Sequence, residues 1–209
     1  SYNRKSYGFN EWERRYNYPD WGFTVAYQSM HNEYLGDIVG AYGHINWYFL
    51  NRHFMLRVGQ GIAYSGNPFD TQSNFNNNAY GTQLLSTTLL KGNFVRENIW
   101  KGLGFHAGFT IIHYSNANFK APNNSTNTFA LNAGVSYQLD YKEFPEYIKK
   151  EDSLSRTHAE RVKFNFAFRT GVNESDVVGL GQEPFYVASV FADKRINYKS
   201  TFTAGVDVF

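Results

Sequence analysis

The 209 residues carry a formal net charge of +2, no cysteine, 18% charged residues and 19% aromatics, with a mean hydropathy of −0.50. The lack of cysteine excludes disulfide frameworks, thiol nucleophiles and zinc–thiolate sites, and the near-neutral charge leaves no nucleic-acid footprint. No apolar run approaches the roughly 20 residues that a membrane-spanning helix needs. A chain this aromatic and yet polar on average has the make-up of a transmembrane β-barrel, whose strands alternate lipid-facing and lumen-facing residues.

In chain order, the opening "SYNRKSYGFNEWERRY" shows no basic-then-apolar leader, so an export signal is expected to have been removed. Period-two alternation then predicts strands over 22–30, 37–48, 53–64, 83–92, 99–115, 127–140, 161–171, 185–194 and 199–209. In "FMLRVGQGIAY", Phe54, Leu56, Val58, Ile62 and Tyr64 share one face, with Arg57, Gly59 and Gly61 on the other. "VKFNFAFRT" sorts Val162, Phe164, Phe166 and Phe168 against Lys163, Asn165, Ala167 and Arg169. "TFTAGVDVF" sorts Phe202, Ala204, Val206 and Val208 against Thr203, Gly205 and Asp207.

A soluble β-sandwich or a soluble lipid-binding barrel would also alternate. Two features favour the membrane barrel. The polar faces are rich in Gly, Ala, Ser, Thr and Asn rather than crowded with charge, and the strands are about 10 residues long, the length of a tilted membrane crossing. The expected fold is therefore a single all-β domain over 1–209, an antiparallel transmembrane β-barrel of about 8–12 strands. Nine strands leave an odd count, where single-chain bacterial barrels are even. Either a strand within 1–21 escapes the pattern or the chain is incomplete at its C-terminus.

The connections alternate in character. "LNRH" (50–53) and "DKRINYKS" (193–200) are short, while 65–81 and 116–126 are long and asparagine-rich. Short turns belong to the periplasmic side and long loops to the outside. The charged segment 140–162, with Pro145 ahead of "EYIKKEDSL", predicts a short periplasmic helical insertion near 143–158.

Several polar groups have unremarkable readings. His106, with Gly108 and Thr110, and His44, with Tyr42 and Asn46, fall on inward rows and read as hydrogen-bonded filling rather than metal ligands. "NFNNNAY" (74–80) has one nearby acid, Asp70, too few carboxylates for a hard cation. "GLGQE" (179–183) precedes no helix and is no phosphate cradle.

The informative stretch is "IIHYSNANFKAPNNSTNTFALNAGVSY", 111–137. Phe105, Ala107, Phe109 and Ile111 form a lipid-facing row, and His113 and Ser115 continue it in phase. On the following strand Asn127 is in phase with Phe129, Leu131, Ala133, Val135 and Tyr137, so a hairpin returns it to His113. A serine becomes nucleophilic when a histidine base takes its proton and a third group fixes the imidazole. Asn116 or loop amides could act as oxyanion donors. Taken alone, His-x-Ser at a strand end also fits two ordinary interfacial polar residues.

"HYSNANFKAPNNSTNTF" resembles the lipid A 3-O-deacylase (PagL-like, acyloxyacyl hydrolase-like) outer-membrane family in three features: His-x-Ser-Asn-Ala at a strand top, a Pro-Asn loop, and a third catalytic residue opening the next strand. Larger Bacteroidetes-type members look like a better overall match, the region after about 140 having no counterpart in the smallest ones. The resemblance implies His113 as general base, Ser115 as nucleophile and Asn116 as oxyanion donor, hydrolysing the 3-O-linked acyl ester without metal or cofactor. It implies lipid A or lipopolysaccharide as the partner and the bacterial outer membrane as the location. The chain departs from the pattern at Asn127, where the family has glutamate. A catalytically weak or inactive barrel, serving as a structural subunit among outer-membrane protein partners, is the alternative.

Overall fold

The computed structural model describes residues 1–142, 145–149, 160–175, 177–197 and 200–209. It contains β1 (Tyr2–Arg4), α1 (Glu11–Arg15), β2 (Asp20–Gln28), β3 (Ile38–Phe49), β4 (Phe54–Ser65), β5 (Leu84–Trp100), β6 (Leu103–Ser115), β7 (Thr126–Tyr137), β8 (Lys163–Glu174), β9 (Gln182–Arg195) and β10 (Thr201–Val208). Strands β1 to β7 form one antiparallel meander in chain order, and β8 to β10 form a second. No described helix is long and apolar enough to cross a membrane. Among the described residues, no backbone ladder joins the two sheets.

The seven-stranded sheet is strongly curled. Strands β2 and β7 lie five places apart, which on a flat sheet is about 24 Å at ~4.8 Å per strand. Yet Gln28 Nε2 of β2 donates to Thr128 Oγ1 of β7 at 2.8 Å. Tyr114 Oη of β6 reaches Gln28 Oε1 at 3.1 Å, and Tyr42 Oη of β3 approaches Thr87 Oγ1 of β5 at 3.1 Å. The inner face is therefore filled by side chains, as small barrels require. Lower down, Arg57 donates to Asn46 Oδ1 at 2.7 Å and to Asn3 Oδ1 at 2.8 Å. His44 bonds Asn3 and Thr24, and His106 bonds Asn93 at 2.9 Å. Both histidines are inward and hydrogen-bonded, as their phase in the sequence predicts.

The outer face is apolar and open, with Phe129, Leu131 and Val135 of β7 among its most exposed residues. In water such a wall would be an aggregation surface; against acyl chains it is the ordinary exterior of a barrel.

Four features depart from the sequence reading. Strand β1 pairs with β2 (Tyr2↔Phe23, Arg4↔Trp21), so a strand does lie within 1–21, and the described residues form ten strands. Strand β5 runs on to Trp100 rather than stopping at 92, and turns through Lys101 and Gly102, both at positive φ. α1 is a short helix that the alternation did not predict; the Glu13 carboxylate accepts the Gly8 N–H and the Asn10 amide, both at 2.8 Å.

The fourth is the helical insertion near 143–158. Residues 145–149 adopt no regular structure, and the rest of that span lies outside the described residues. The reason is visible locally. Ile148 N–H donates to Tyr7 O at 2.9 Å and Ile148 O accepts the Tyr18 hydroxyl at 2.7 Å, so its backbone partners are remote rather than one helical turn away. Tyr147 lies beneath the Arg52 guanidinium, which is 5.4 Å from its ring, and burial pushes its phenol up to about 12. Arg52 also sits 3.7 Å from the Tyr48 ring and 3.2 Å from Asp20. This cluster closes the end of the sheet that carries the short turns.

Candidate functional site

The opposite end carries the longer loops, and the site is built there on β6 and β7. Inner residues of β6 are fixed by Tyr114, fully buried against Gln28 and Tyr42. Strand pleat then turns His113 and Ser115 to the outer face with Phe105 and Phe109. The ladder pairs His113 with Asn127, and His113 Nδ1 lies 2.8 Å from Asn127 Oδ1. An amide oxygen only accepts, so in this arrangement Nδ1 carries the proton and Nε2 is left as an acceptor. That is the tautomer a general base needs.

Ser115 is close to His113 in chain and phase, but its hydrogen bonds run into the loop. Its Oγ donates to Asn123 Oδ1 at 3.2 Å, and accepts from Asn123 Nδ2 at 3.1 Å and from Ala117 N–H at 3.0 Å. Asn123 also accepts the Asn116 N–H at 2.9 Å and donates to Asn118 Oδ1 at 2.6 Å. Asn116 is buried, donating its side-chain amide to Lys120 O. Among the described residues its Oδ1 has no partner. The structure thus brings His113 to Asn127 and Ser115 to Asn123, with Asn116 turned inward beneath the loop.

Asn123 is the residue that sequence reasoning missed. Its only signal is its place after Pro122 in "APNNS". Two other segments hold the loop. Asn124 and Ser125 N–H donate to Asn78 and Ala79 carbonyls at 3.2 and 3.3 Å, and Gly81 lies so close that an added Cβ would sit 2.4 Å from Lys120 O. That neighbouring loop is itself ordered by Asn77 and Asn74, which bond Tyr34, Asn67 and Pro68 carbonyls. In it Asp70 accepts the Ser73 and Gln72 N–H groups at 2.8 and 3.0 Å, which holds its carboxyl below the usual range.

From the other side comes Glu174 at the end of β8. Its Oε2 accepts the Ala121 N–H at 2.7 Å, and its own N–H donates to Asn118 O at 2.8 Å. Gln182 adds a bond to Phe119 O at 2.6 Å. No sequence signal marks Glu174, because it lies 53 residues from Ala121. Removing its carboxylate leaves a buried N–H without a partner, at a cost of about 1–3 kcal/mol. Glu174→Ala is therefore expected to speed hydrogen exchange of the Ala121 amide at least ~10-fold, and Glu174→Gln, which keeps an acceptor, to restore most of the protection.

Among the described residues, no group of three His, Asp or Glu side chains could hold a metal ion. What the arrangement offers is a hydroxyl, an oriented imidazole and loop amides on the outer wall of an apolar sheet. A family model for lipid A 3-O-deacylase (PagL) matches residues 1–136. The chain belongs to the PagL family. It is therefore a member of a family of outer-membrane β-barrel hydrolases that act on lipid A, and the all-β fold agrees with that. No curated protein and no solved structure matches the chain. The PagL match ends within β7, one residue before its end, so β8, with the loop-holding Glu174, lies outside it.

Proposed function

We propose that this PagL-family chain is a serine esterase that removes the 3-O-linked acyl chain of lipid A from the outer leaflet. The hydrogen bond from His113 Nδ1 to Asn127 Oδ1 supports this most directly, because it leaves Nε2 as an acceptor two residues from Ser115 on the same strand face. Side chains at i and i+2 on a strand point the same way about 7 Å apart, a gap that imidazole and hydroxymethyl groups can bridge. Ser115 must first leave Asn123, and catalytic hydrogen bonds commonly tighten only when substrate is bound.

In the reaction, Nε2 takes the Ser115 proton as Oγ bonds to the ester carbonyl carbon. The carbonyl oxygen becomes an oxyanion. Ala117 N–H and Asn123 Nδ2, both directed at Ser115 Oγ, are the nearest donors for it. An oxyanion role for Asn116 would require its amide to leave the Lys120 carbonyl. Imidazolium then protonates the departing sugar oxygen as the ester bond breaks, leaving an acyl-serine. Water, deprotonated by Nε2, attacks that ester; the imidazolium returns the proton to Ser115 Oγ as the acyl–oxygen bond breaks, and the fatty acid and free serine are released. The exposed Phe109, Phe129 and Leu131 supply apolar wall for the acyl chain.

Mass spectrometry of lipid A from outer membranes of cells making this chain is expected to show loss of one ester-linked acyl group relative to vector-only cells. Two observations favour a second reading, a barrel kept as a structural subunit of an outer-membrane complex: the uncharged Asn127, and the engagement of Ser115 with Asn123 rather than His113. An unchanged acyl pattern with folded protein in the membrane would support that second reading and count against the esterase.

A further inference from the structure

The outer wall beside the site carries polar side chains that the hydrolytic chemistry does not use. Cross-strand pairing sets Gly43, Gln60, Thr88, His113 and Asn127 in one row over five strands. In the neighbouring row, Ser86 stands opposite Ser115. Gln60, Ser86 and Thr88 are outward, among the exposed Val58, Ile62, Leu84 and Phe94. An amide on a lipid-facing surface is costly unless its groups are bonded. These three bond one another in part. Thr88 Oγ1 donates to Gln60 Oε1 at 2.7 Å, and Gln60 Nε2 donates to Ser86 Oγ at 3.1 Å.

Counting donors shows what is left over. A glutamine amide has two N–H groups and a serine one O–H. Among the described residues, one Gln60 N–H and the Ser86 O–H have no acceptor. Beyond Gln60 the row passes Gly43, where a Cβ would meet nothing within 4 Å, and reaches the exposed Phe23 of β2. The wall therefore holds a shallow notch floored by glycine and edged by two unengaged donors. Gln60 lies two strands from His113, about 10 Å at ~4.8 Å per strand, and Ser86 and Thr88 lie on the strand between them.

We propose that Gln60, Ser86 and Thr88 form a second subsite, which binds the carbonyl of a neighbouring acyl linkage, amide or ester, on the same glycolipid molecule whose ester reaches Ser115. The proposal rests on the deacylase reading for its substrate. Donors without acceptors fit a carbonyl. Their distance from His113 fits a second linkage on one molecule, and the surrounding apolar residues fit the chain attached to it. The subsite would fix which ester of a multiply acylated lipid meets the serine.

The test uses the full chain purified in detergent micelles, with lipid A as the probe. Gln60→Leu removes the amide while matching the apolar wall, and Thr88→Val, nearly isosteric, is a second variant should the first fold poorly. Each is expected to raise KM for lipid A about 10-fold while kcat falls less than about twofold, the pattern of lost uniform binding. Binding is also measured without turnover, by titrating lipid A into Ser115→Ala protein with and without Gln60→Leu. The added substitution is expected to weaken binding about 10-fold. If wild type hydrolyses nothing but the binding difference holds, the esterase reading fails and the subsite stands. If hydrolysis proceeds and neither KM nor binding changes in either variant, the subsite is overturned. An equal fall in kcat with unchanged KM would overturn it as well.

Discussion

Ser115→Ala is expected to reduce lipid A deacylation by at least about 10³-fold, with the protein still folded and membrane-inserted. The Ser115 Oγ is the only atom in the proposed site that forms a covalent bond to the acyl group, so the acyl-enzyme route does not survive its removal. Residual hydrolysis in enzymes stripped of a triad member comes from oxyanion donors and substrate binding alone. The fold should tolerate the change. Ser115 is partly exposed at the end of β6, and the strand is anchored by buried Tyr114 rather than by the serine. Asn123 would lose one partner and keep its bonds to Asn116 and Asn118. His113→Ala should be nearly as severe, and the double variant no worse than either alone, because nucleophile and base act as a unit. The check is a time course of acyl release from purified lipid A. Retention of more than a tenth of wild-type rate by Ser115→Ala would remove the serine from the mechanism.

Asn127→Glu is expected to act in the opposite direction, raising turnover on the order of 10²-fold. In serine proteases, Asp→Asn in the triad costs about 10⁴, and that loss is attributed to the wrong imidazole tautomer. Here the amide oxygen already faces Nδ1 at 2.8 Å, so tautomer and ring orientation are in place. What asparagine lacks is charge to stabilise the imidazolium that forms as the serine is deprotonated. A carboxylate supplies that charge, and a hydrogen bond to an ionised acceptor is roughly twice as strong as a neutral one. The gain is therefore expected to fall short of the full protease factor. Asn127→Asp, which preserves the length of the side chain, is the control for reach. Comparison of kcat across the three proteins decides the matter. No rise in either variant would mean that charge behind the imidazole does not limit this site.

Much of this arrangement was legible in the sequence because strand pleat is a rigid code. Once Phe105 to Ile111 is recognised as an outward row, His113 and Ser115 must follow it, and hairpin pairing must return Asn127. The structure has that register. The span 93–98 was harder, because it falls between the predicted strands 83–92 and 99–115 and carries the charged Arg96 and Glu97. Glu97 instead receives Lys5 at 2.6 Å from the N-terminal segment, so the strand continues through charge that is neutralised by a remote partner. Strand β1 has three residues, too few for alternation to register. Segment 145–149 carries helix-compatible residues, but its backbone and Tyr147 are held by Tyr7, Tyr18 and Arg52. Glu174 and Asn123 shape the loop through contacts that no local pattern encodes. Gln60 was readable in principle. It interrupts an otherwise apolar row, and an interruption on a lipid-facing strand merits the same scrutiny as a charge in a core.

The interior packed with Tyr42, Tyr114, Arg57 and their amide partners has a consequence for how such a protein meets its substrate. A curled sheet whose inner face is filled with side chains leaves no open channel along that face, so abundant expression is expected to leave cells no leakier to hydrophilic antibiotics. Lipid must then arrive from the side, sliding in the plane of its own leaflet until it strikes the wall. Encounter becomes a planar search, governed by leaflet viscosity and the surface density of lipid rather than by any bulk concentration.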